Sequence, residues 1–356
     1  MAEPSGLGIE IRHLFKIFGP SPAAHVQKVR DGLSKAELMA RHQHVLGLND
    51  INISVPAGSI QVIMGLSGSG KSTLIRHVNR LIEPTVGEVL IGGADVVKMS
   101  KAELLQFRRH QTAMVFQKFA LLPNRTVLEN TVFGLEIKGM PRNVQVERAM
   151  RWIERVGLGG FEGRYPNQLS GGMQQRVGLA RALANDAPIL LMDEAYSALD
   201  PLIRMDMQTV LLDLQKEIRK TILFITHDLD EALRLGDQIA ILRDGKVTQQ
   251  GTSQDIVLRP ADDYIANFVK EVNRGRVIRA EAVMAPPGPT EGPRISRVAS
   301  LDEAMRLLSR SGAQTAAVID EAGRIVGSLD LPLIVSSMAP HEPEMAQNDQ
   351  RVPLFS

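Results

Sequence analysis

Cysteine is absent from the 356 residues, which excludes a disulfide framework and a thiolate metal site. A reducing compartment is compatible with that absence. Surplus charge is lacking too: 41 basic residues against 40 acidic ones leave a net charge of +1, without the electrostatic footprint of a nucleic-acid-binding protein. No apolar run reaches the roughly 18 to 20 residues that span a bilayer. The opening "MAEPSGLGIEIRHLF" lacks the basic-then-apolar order of a signal peptide. The expectation is a soluble cytoplasmic chain of about two domains. Any membrane role then goes through a partner.

What is present is a strand pattern over Ile9 to Ile17, then "GPSPAAHVQKVRDGLSKAELMARHQHVLG", which proline punctuation opens. Ser34 and Glu37 stand in capping-box spacing, so this segment is expected to be a loop with one short helix, inserted between two strands. From Asn49 to about Gly251, "IQVIM", "AMVFQ", "PILLMD", "TILFITHD" and "IAILRDG" alternate with helical patterns. Near-continuous apolar strands are covered on both faces, so the fold class is α/β with a largely parallel sheet. "APPGPTEGP" reads as a linker. Beyond it, "SLDEAMRLLSRSG" reads as a helix capped by Ser300 with Glu303, followed by "QTAAVID" and "RIVGSLD" around a turn at Glu321 to Gly323, then by "LPLIVSSM" and a polar tail.

"GLSGSGKST" matches G-x-x-x-x-G-K-[ST] from Gly65 to Ser72, between a strand and a helical run. Gly68 and Gly70 let backbone N–H groups point into the loop. Lys71 has the reach for the β- and γ-phosphates of a nucleotide, and Ser72 offers a hydroxyl to Mg²⁺. A dinucleotide fold fits poorly, since Thr73 stands where the third glycine of its motif would fall. "PILLMDEA" ends in Asp193, placed to hold Mg²⁺ through water, and Glu194, placed to polarise an attacking water. The same pair also suits a helix cap. Gln117 and His227 end two further strands, where each is either a site residue or a plain strand terminus. In "LSGGMQQRVGLARAL", Ser170 is a natural N-cap, and Met173, Val177, Ala180 and Ala184 share one helical face. With Gly171 and Gly172 it makes a second phosphate seat, whose ligand the spacing alone does not name.

In this order the motifs carry a family likeness. The chain resembles ABC transporter ATPase subunits, with "GLSGSGKST" as Walker A, Gln117 as the Q-loop, "LSGGM" as the signature, "ILLMDE" as Walker B, "SALD" as the D-loop and His227 as the switch histidine. Within that family it is similar to the ATP-binding subunits of glycine betaine, proline betaine or choline importers. The stretches that carry this are "GLSKAELMARHQHVLGLNDINISV", "RLIEPTVGEVLIGG", "MVFQKFALLPNRTVLENTVFGLE", "EAYSALDPLIRMDMQ" and "HDLDEALRLGDQIAILRDG".

The resemblance implies a P-loop ABC-type ATPase domain over 1–275, with an insertion at about 19–46 and a helical subdomain at about 118–180. It implies ATP and Mg²⁺ as ligands, with Gly65, Ser67, Gly68, Ser69, Gly70, Lys71, Ser72 and Thr73 lining the phosphates. Ser72, Gln117 and Asp193 would serve the metal, while Glu194, His227, Lys71 and Gln117 would serve catalysis. Phe18 would stack on adenine, although an aromatic there also suits the core. It further implies a homodimer in which Ser170, Gly171 and Gly172 hold the partner's γ-phosphate and Asp200 lies at the seam. Phe119 to Pro123 would meet a membrane permease, or else pack within the helical subdomain. An associated substrate-binding protein and a peripheral place on the cytoplasmic face of the inner membrane follow, with uptake of a quaternary amine osmolyte as the function. The chain departs from the pattern at Met173, where the signature usually has glutamine, and at 276–338. That region resembles a single CBS motif, a regulatory module that normally works in pairs. The basic residues Lys270, Arg274, Arg276 and Arg279 suit an anionic membrane surface or simply a solvated face. Residues 339–356 are expected to be a disordered tail.

Two rivals are weaker. ABC ATPases of DNA repair carry a coiled coil or zinc insertion between the Q-loop and the signature, whereas only about 50 residues separate them here, without cysteine. Translation-type members carry two ATPase units per chain, and no second Walker A occurs. A stand-alone nucleotide-binding regulator would bind ATP with negligible turnover.

Overall fold

The computed structural model describes residues 7–117, 119–197, 199–288 and 292–339. They form two compact units that divide between Ser253 and Gln254.

The first unit is built on two sheets. In the larger one the strand order is Lys246–Gly251, Gln238–Arg243, Ile60–Met64, Thr221–Thr226, Ile189–Asp193, Thr112–Val115. Every pairing is parallel except that of the edge strand Lys246–Gly251. All five residues of Ile60–Met64 and all six of Thr221–Thr226 are buried, which is why these strands read as unbroken apolar runs. The smaller sheet is antiparallel, in the order Val45–Val55, Ile9–Phe18, Val86–Ile91, Ala94–Asp95. The helix Lys71–Val78 fills the space between the sheets. Its Leu74, Ile75 and Val78 are fully buried with Ile11, Leu48 and Ile51 of one sheet and Ile63, Leu191 and Leu223 of the other. Burying side chains of this size contributes about 1.5–3 kcal/mol each, so the element that begins at Lys71 is anchored firmly.

The strand expected over "AMVFQ" stops at Val115, leaving Gln117 in a turn beyond it. The insertion holds two helices rather than one, Val26–Arg30 and Lys35–His42, after a 3-10 turn at Pro22–His25. Ser34 and Glu37 form the expected capping box. The first helix escaped notice because it is too short for periodicity to register. Its Val26 and Val29 pack with Leu38, Phe15, Ile17 and Leu46 in a small core of their own. Helices Val127–Ile137, Arg142–Arg155 and Gly171–Ala184 pack on one another as the helical subdomain.

The second unit has a three-stranded sheet in the order Arg294–Ser296, Thr315–Ile319, Ile325–Asp330, the first pair parallel and the second antiparallel. Helix Leu301–Ser311 begins with a Ser300–Glu303 capping box, and helix Leu331–Met338 follows the last strand. The unit starts about twenty residues ahead of the expected boundary at 275, and the described ends of "APPGPTEGP", 285–288 and 292–293, both belong to it, residues 289–291 lying outside the described residues. Ala285 exchanges backbone hydrogen bonds with Ser328 at 2.9 and 3.0 Å, and Ala317 donates to Pro293 at 2.9 Å, so both ends of that stretch are tied to one sheet. Arg274 is half-buried and donates to the carbonyls of Val257 and Ala339, which removes it from the basic surface cluster. Arg276 lies 3.8 Å from Asp302, while Lys270 and Arg279 are exposed. The tail lies outside the described residues from 340 onward, as does Ala198 of "SALD". Among the described residues no helix is long and apolar enough to cross a membrane.

Candidate functional site

The phosphate loop leaves the central strand at Gly65, where φ is +148° and a Cβ would stand 2.2 Å from the Leu242 carbonyl oxygen. At Gly70, φ is +107° and a Cβ would meet the Gly47 carbonyl at 2.6 Å. Only glycine lets the chain turn there. The apex, Leu66 to Gly68, is exposed, whereas Ser69 is buried and its hydroxyl has no hydrogen-bond partner among the described residues. Lys71 is 4 % exposed, and its Nζ donates to the carbonyls of Gly65 (2.7 Å) and Leu66 (3.0 Å). Burial holds the Lys71 pKa below the usual lysine range, against the opposing pull of Glu194 and Asp193. Ser72 Oγ donates to Asp193 Oδ1 at 2.8 Å.

Asp193 closes its strand, buried at 3 % exposure, and Arg76 approaches its other oxygen at 3.5 Å. Glu194 turns the opposite way because its φ is +46°, a left-handed conformation that costs a non-glycine residue about 1–2 kcal/mol. Among the described residues no helix starts there, the next beginning at Pro201 with Asp200 as its cap, so the pair is not a helix cap. In exchange the Glu194 carboxylate meets three other elements: Gln117 Nε2 donates to Oε2 at 2.9 Å, His227 Nδ1 lies 3.6 Å from Oε2, and Lys71 Nζ lies 3.9 Å from Oε1. The structure thus brings Lys71, Ser72, Gln117, Asp193, Glu194 and His227 together at the ends of the parallel strands, where open α/β sheets bind ligands.

Phe18 is 38 % exposed rather than in the core, with Lys16 Nζ 4.9 Å from its ring centroid. Its ring covers Gly47, where a Cβ would come within 2.7 Å, and the Gly47 carbonyl abuts Gly70. The exposed aromatic therefore flanks the loop. Ser67 is exposed and Thr73 half-buried. Ser170 caps helix Gly171–Ala184 through its hydroxyl, which accepts from Met173 N at 3.3 Å. That leaves the first helical amides, of Gly171 and Gly172, without intrahelical acceptors. Gly172 has a packing reason as well: a Cβ there would stand 2.8 Å from Ile203 Cγ2. Asp200 caps helix Pro201–Ile218 by accepting from Ile203 N.

Three contributors escaped sequence reading. Arg76 sits one helical turn after Ser72, a spacing that could have flagged it. Arg181 donates to the carbonyls of Phe119 (3.0 Å) and Ala120 (2.7 Å). Arg204 pairs with Asp228 at 2.8 Å, tying the helix after Asp200 to the turn that carries His227. No local signal announces either of the last two contacts.

A phosphate loop on the central strand of a parallel sheet, with a carboxylate pair at the neighbouring strand end, defines a P-loop ATPase, and the family model for the ABC transporter matches residues 48–197. The chain belongs to the ABC transporter family, among its ATP-binding subunits. It is 47 % identical to the glycine betaine transport ATP-binding protein OpuAA of Bacillus subtilis, over 90 % of this chain and 75 % of that one. It is 45 % identical to the glycine betaine/proline betaine transport system ATP-binding protein ProV of Escherichia coli, over 93 % and 82 %. A solved ATP-binding cassette, dimeric and bound to ADP and Pi after hydrolysis, is 32 % identical with a TM-score of 0.59, covering 69 % of this chain and 98 % of its own.

Proposed function

We propose that this chain powers uptake of a quaternary amine osmolyte such as glycine betaine by hydrolysing ATP as a homodimer beneath a membrane permease. The observation that carries the reading is the Glu194 carboxylate, turned by a left-handed backbone toward Lys71, Gln117 and His227. Glu194 takes a proton from water as the water oxygen attacks the γ-phosphorus in line, and the bond to the bridging oxygen of ADP breaks. Gln117 and His227 orient that water and the γ-phosphate. Lys71 turns from the Gly65 and Leu66 carbonyls to the β- and γ-phosphates.

The residues fit the ligands. The Ser69 hydroxyl, unpartnered among the described residues, and the open apex at Gly68 suit a polyphosphate. The Ser72 hydroxyl, the Asp193 carboxylate and the Gln117 amide oxygen are the hard donors that would hold Mg²⁺. A bound ion would supply charge neutralisation to the phosphates. Ser170, Gly171 and Gly172 serve the partner's ATP, and Asp200 lies at the seam. Phe119 to Pro123, half-exposed and apolar, receives the permease and thereby keeps the chain on the cytoplasmic face of the inner membrane. Within the second unit, the order of strand, helix, two strands and helix from Arg294 to Met338 supports a single CBS-like motif, which would need a second copy to pair.

Complementation tests the shared site. Lys71→Ala and Ser170→Arg chains should each be inactive alone and regain turnover on mixing, because the mixed dimer holds one intact loop facing one intact signature. No recovery would refute the shared site. Loss of labelled glycine betaine uptake from cells lacking the chain tests the solute.

A further inference from the structure

The inserted segment reaches the phosphate loop through one side chain. Lys35, in the first turn of helix Lys35–His42, places Nζ 3.1 Å from the carbonyl oxygen of Gly68. The N–H of that same peptide group, on Ser69, donates to the Leu66 carbonyl at 3.2 Å. Leu66 is in turn one of the two carbonyls that hold Lys71 Nζ, at 3.0 Å. One peptide plane is therefore gripped on both edges, and its inner edge leads directly to the Lys71 ammonium.

Such a grip matters because Gly68 has a φ of +76° and open space where a Cβ would stand, so sterics alone do not fix the peptides that flank it. The anchor itself is rigid. Ser34 accepts from Glu37 N at 3.2 Å and donates its own N–H to Glu37 Oε2 at 3.0 Å, which sets the start of the helix. Leu38 is fully buried in the insertion's own core. The ring nitrogens of His44 lie 2.6 Å from the carbonyls of Pro20 and His42, joining the two ends of the insertion.

We propose that Lys35 is a positioning residue for nucleotide binding: it sets the apex of the phosphate loop in its ligand-ready shape before ATP arrives, so less ordering remains to oppose binding. The inference rests on the reading of Gly65–Ser72 as the phosphate seat.

The test uses the full chain and titration with a fluorescent trinitrophenyl analogue of ATP. Lys35→Met should raise the Kd about fivefold to tenfold, the range expected for one charge-assisted hydrogen bond. Turnover at saturating ATP should change less than twofold, hydrogen exchange at the Ser69 amide should accelerate, and Tm should stay put. Lys35→Arg should restore both binding and protection, and Lys35→Gln should reproduce the loss if the methionine variant folds poorly. Wild-type Kd and wild-type exchange in Lys35→Met or Lys35→Gln would overturn the proposal, as would an Arg variant that restores neither. Lys71→Ala separates the two layers. If it abolishes binding while Lys35→Met does not weaken it, only the role of Lys35 fails; if it binds ATP normally, the phosphate-seat reading fails.

Discussion

Acid should unfasten the element that presents Lys71 and Ser72, and His77 is the group that sets where. His77 closes the helix Lys71–Val78 at 1 % exposure, with Nδ1 2.7 Å from the Thr73 carbonyl and no partner at Nε2 among the described residues. Burial dominates its environment and pushes its pKa down from 6.5 to about 4, the Thr73 carbonyl and Glu83 opposing only in part and Lys16 adding to the fall. Since the folded value is the lower one, the unfolded chain binds the extra proton first. The stabilisation is therefore whole above about pH 6.5 and is lost as pH falls toward about 4. The full shift is worth about 3 kcal/mol, of which about 2.5 kcal/mol is gone at about pH 4.5. Urea unfolding of the full chain at neutral pH and at about pH 4.5, compared with His77→Gln, isolates this contribution from other carboxylate and histidine effects. The wild type should lose about 2.5 kcal/mol more than the variant. Parallel losses, or an NMR titration of His77 with a midpoint near that of a free imidazole, would refute the reasoning.

Glu194→Gln should lower turnover by at least about a hundredfold while ATP binding survives and a nucleotide-bound dimer accumulates on size-exclusion chromatography; turnover within twofold of wild type would remove Glu194 from its role. Gly172→Ala should destabilise by about 1–3 kcal/mol in urea, because the new methyl group overlaps the stiff Ile203 side chain at 2.8 Å; the double variant with Ile203→Val should recover part of that, and no cost in the single variant would show that the two helices separate freely.

Much of the site was legible because its constraints are local. A glycine pattern between an apolar strand and a helix reports a tight turn and close backbone approach, and the loop has them at Gly65 and Gly70. Capping boxes at Ser34 and Ser300 likewise report through residues three apart. What stayed hidden depends on contacts between distant parts of the chain. For Phe18 the resemblance implies stacking on adenine, with a place in the core as the alternative, and what the sequence does not show is that Gly47 opposite, offering no side chain to cover the ring, leaves it exposed. The strand before Gln117 looked two residues too long, as Phe116 continues the apolar pattern after the ladder with Ile189–Asp193 has ended. The start of the second unit was placed late because the short helices between 253 and 277 follow the edge strand Lys246–Gly251 with no proline- or glycine-rich linker to mark a boundary, while their attachments run to later residues, Gln254 donating to Val277 and Arg274 to Ala339.

The turn of Glu194 makes sense only beside a second strained stretch. Phe119 and Ala120 hold φ values of +55° and +47°, two consecutive left-handed residues without a glycine, at a cost of about 1–2 kcal/mol each. Arg181 offsets that cost by donating to both of their carbonyls from the helix that Ser170 caps, while the Phe119 ring comes within 3.9 Å of where a Cβ on Gly171 would stand. Gln117, two residues earlier, is bonded to Glu194. The strained residues that follow Gln117 are therefore flanked by two charged fastenings, the Glu194 carboxylate at Gln117 and Arg181 of helix Gly171–Ala184 at the Phe119 and Ala120 carbonyls. A short run of chain fastened in this way has few alternative conformations of similar energy. Release of the Gln117 amide from Glu194 would free one fastening and leave the strain to act on the other.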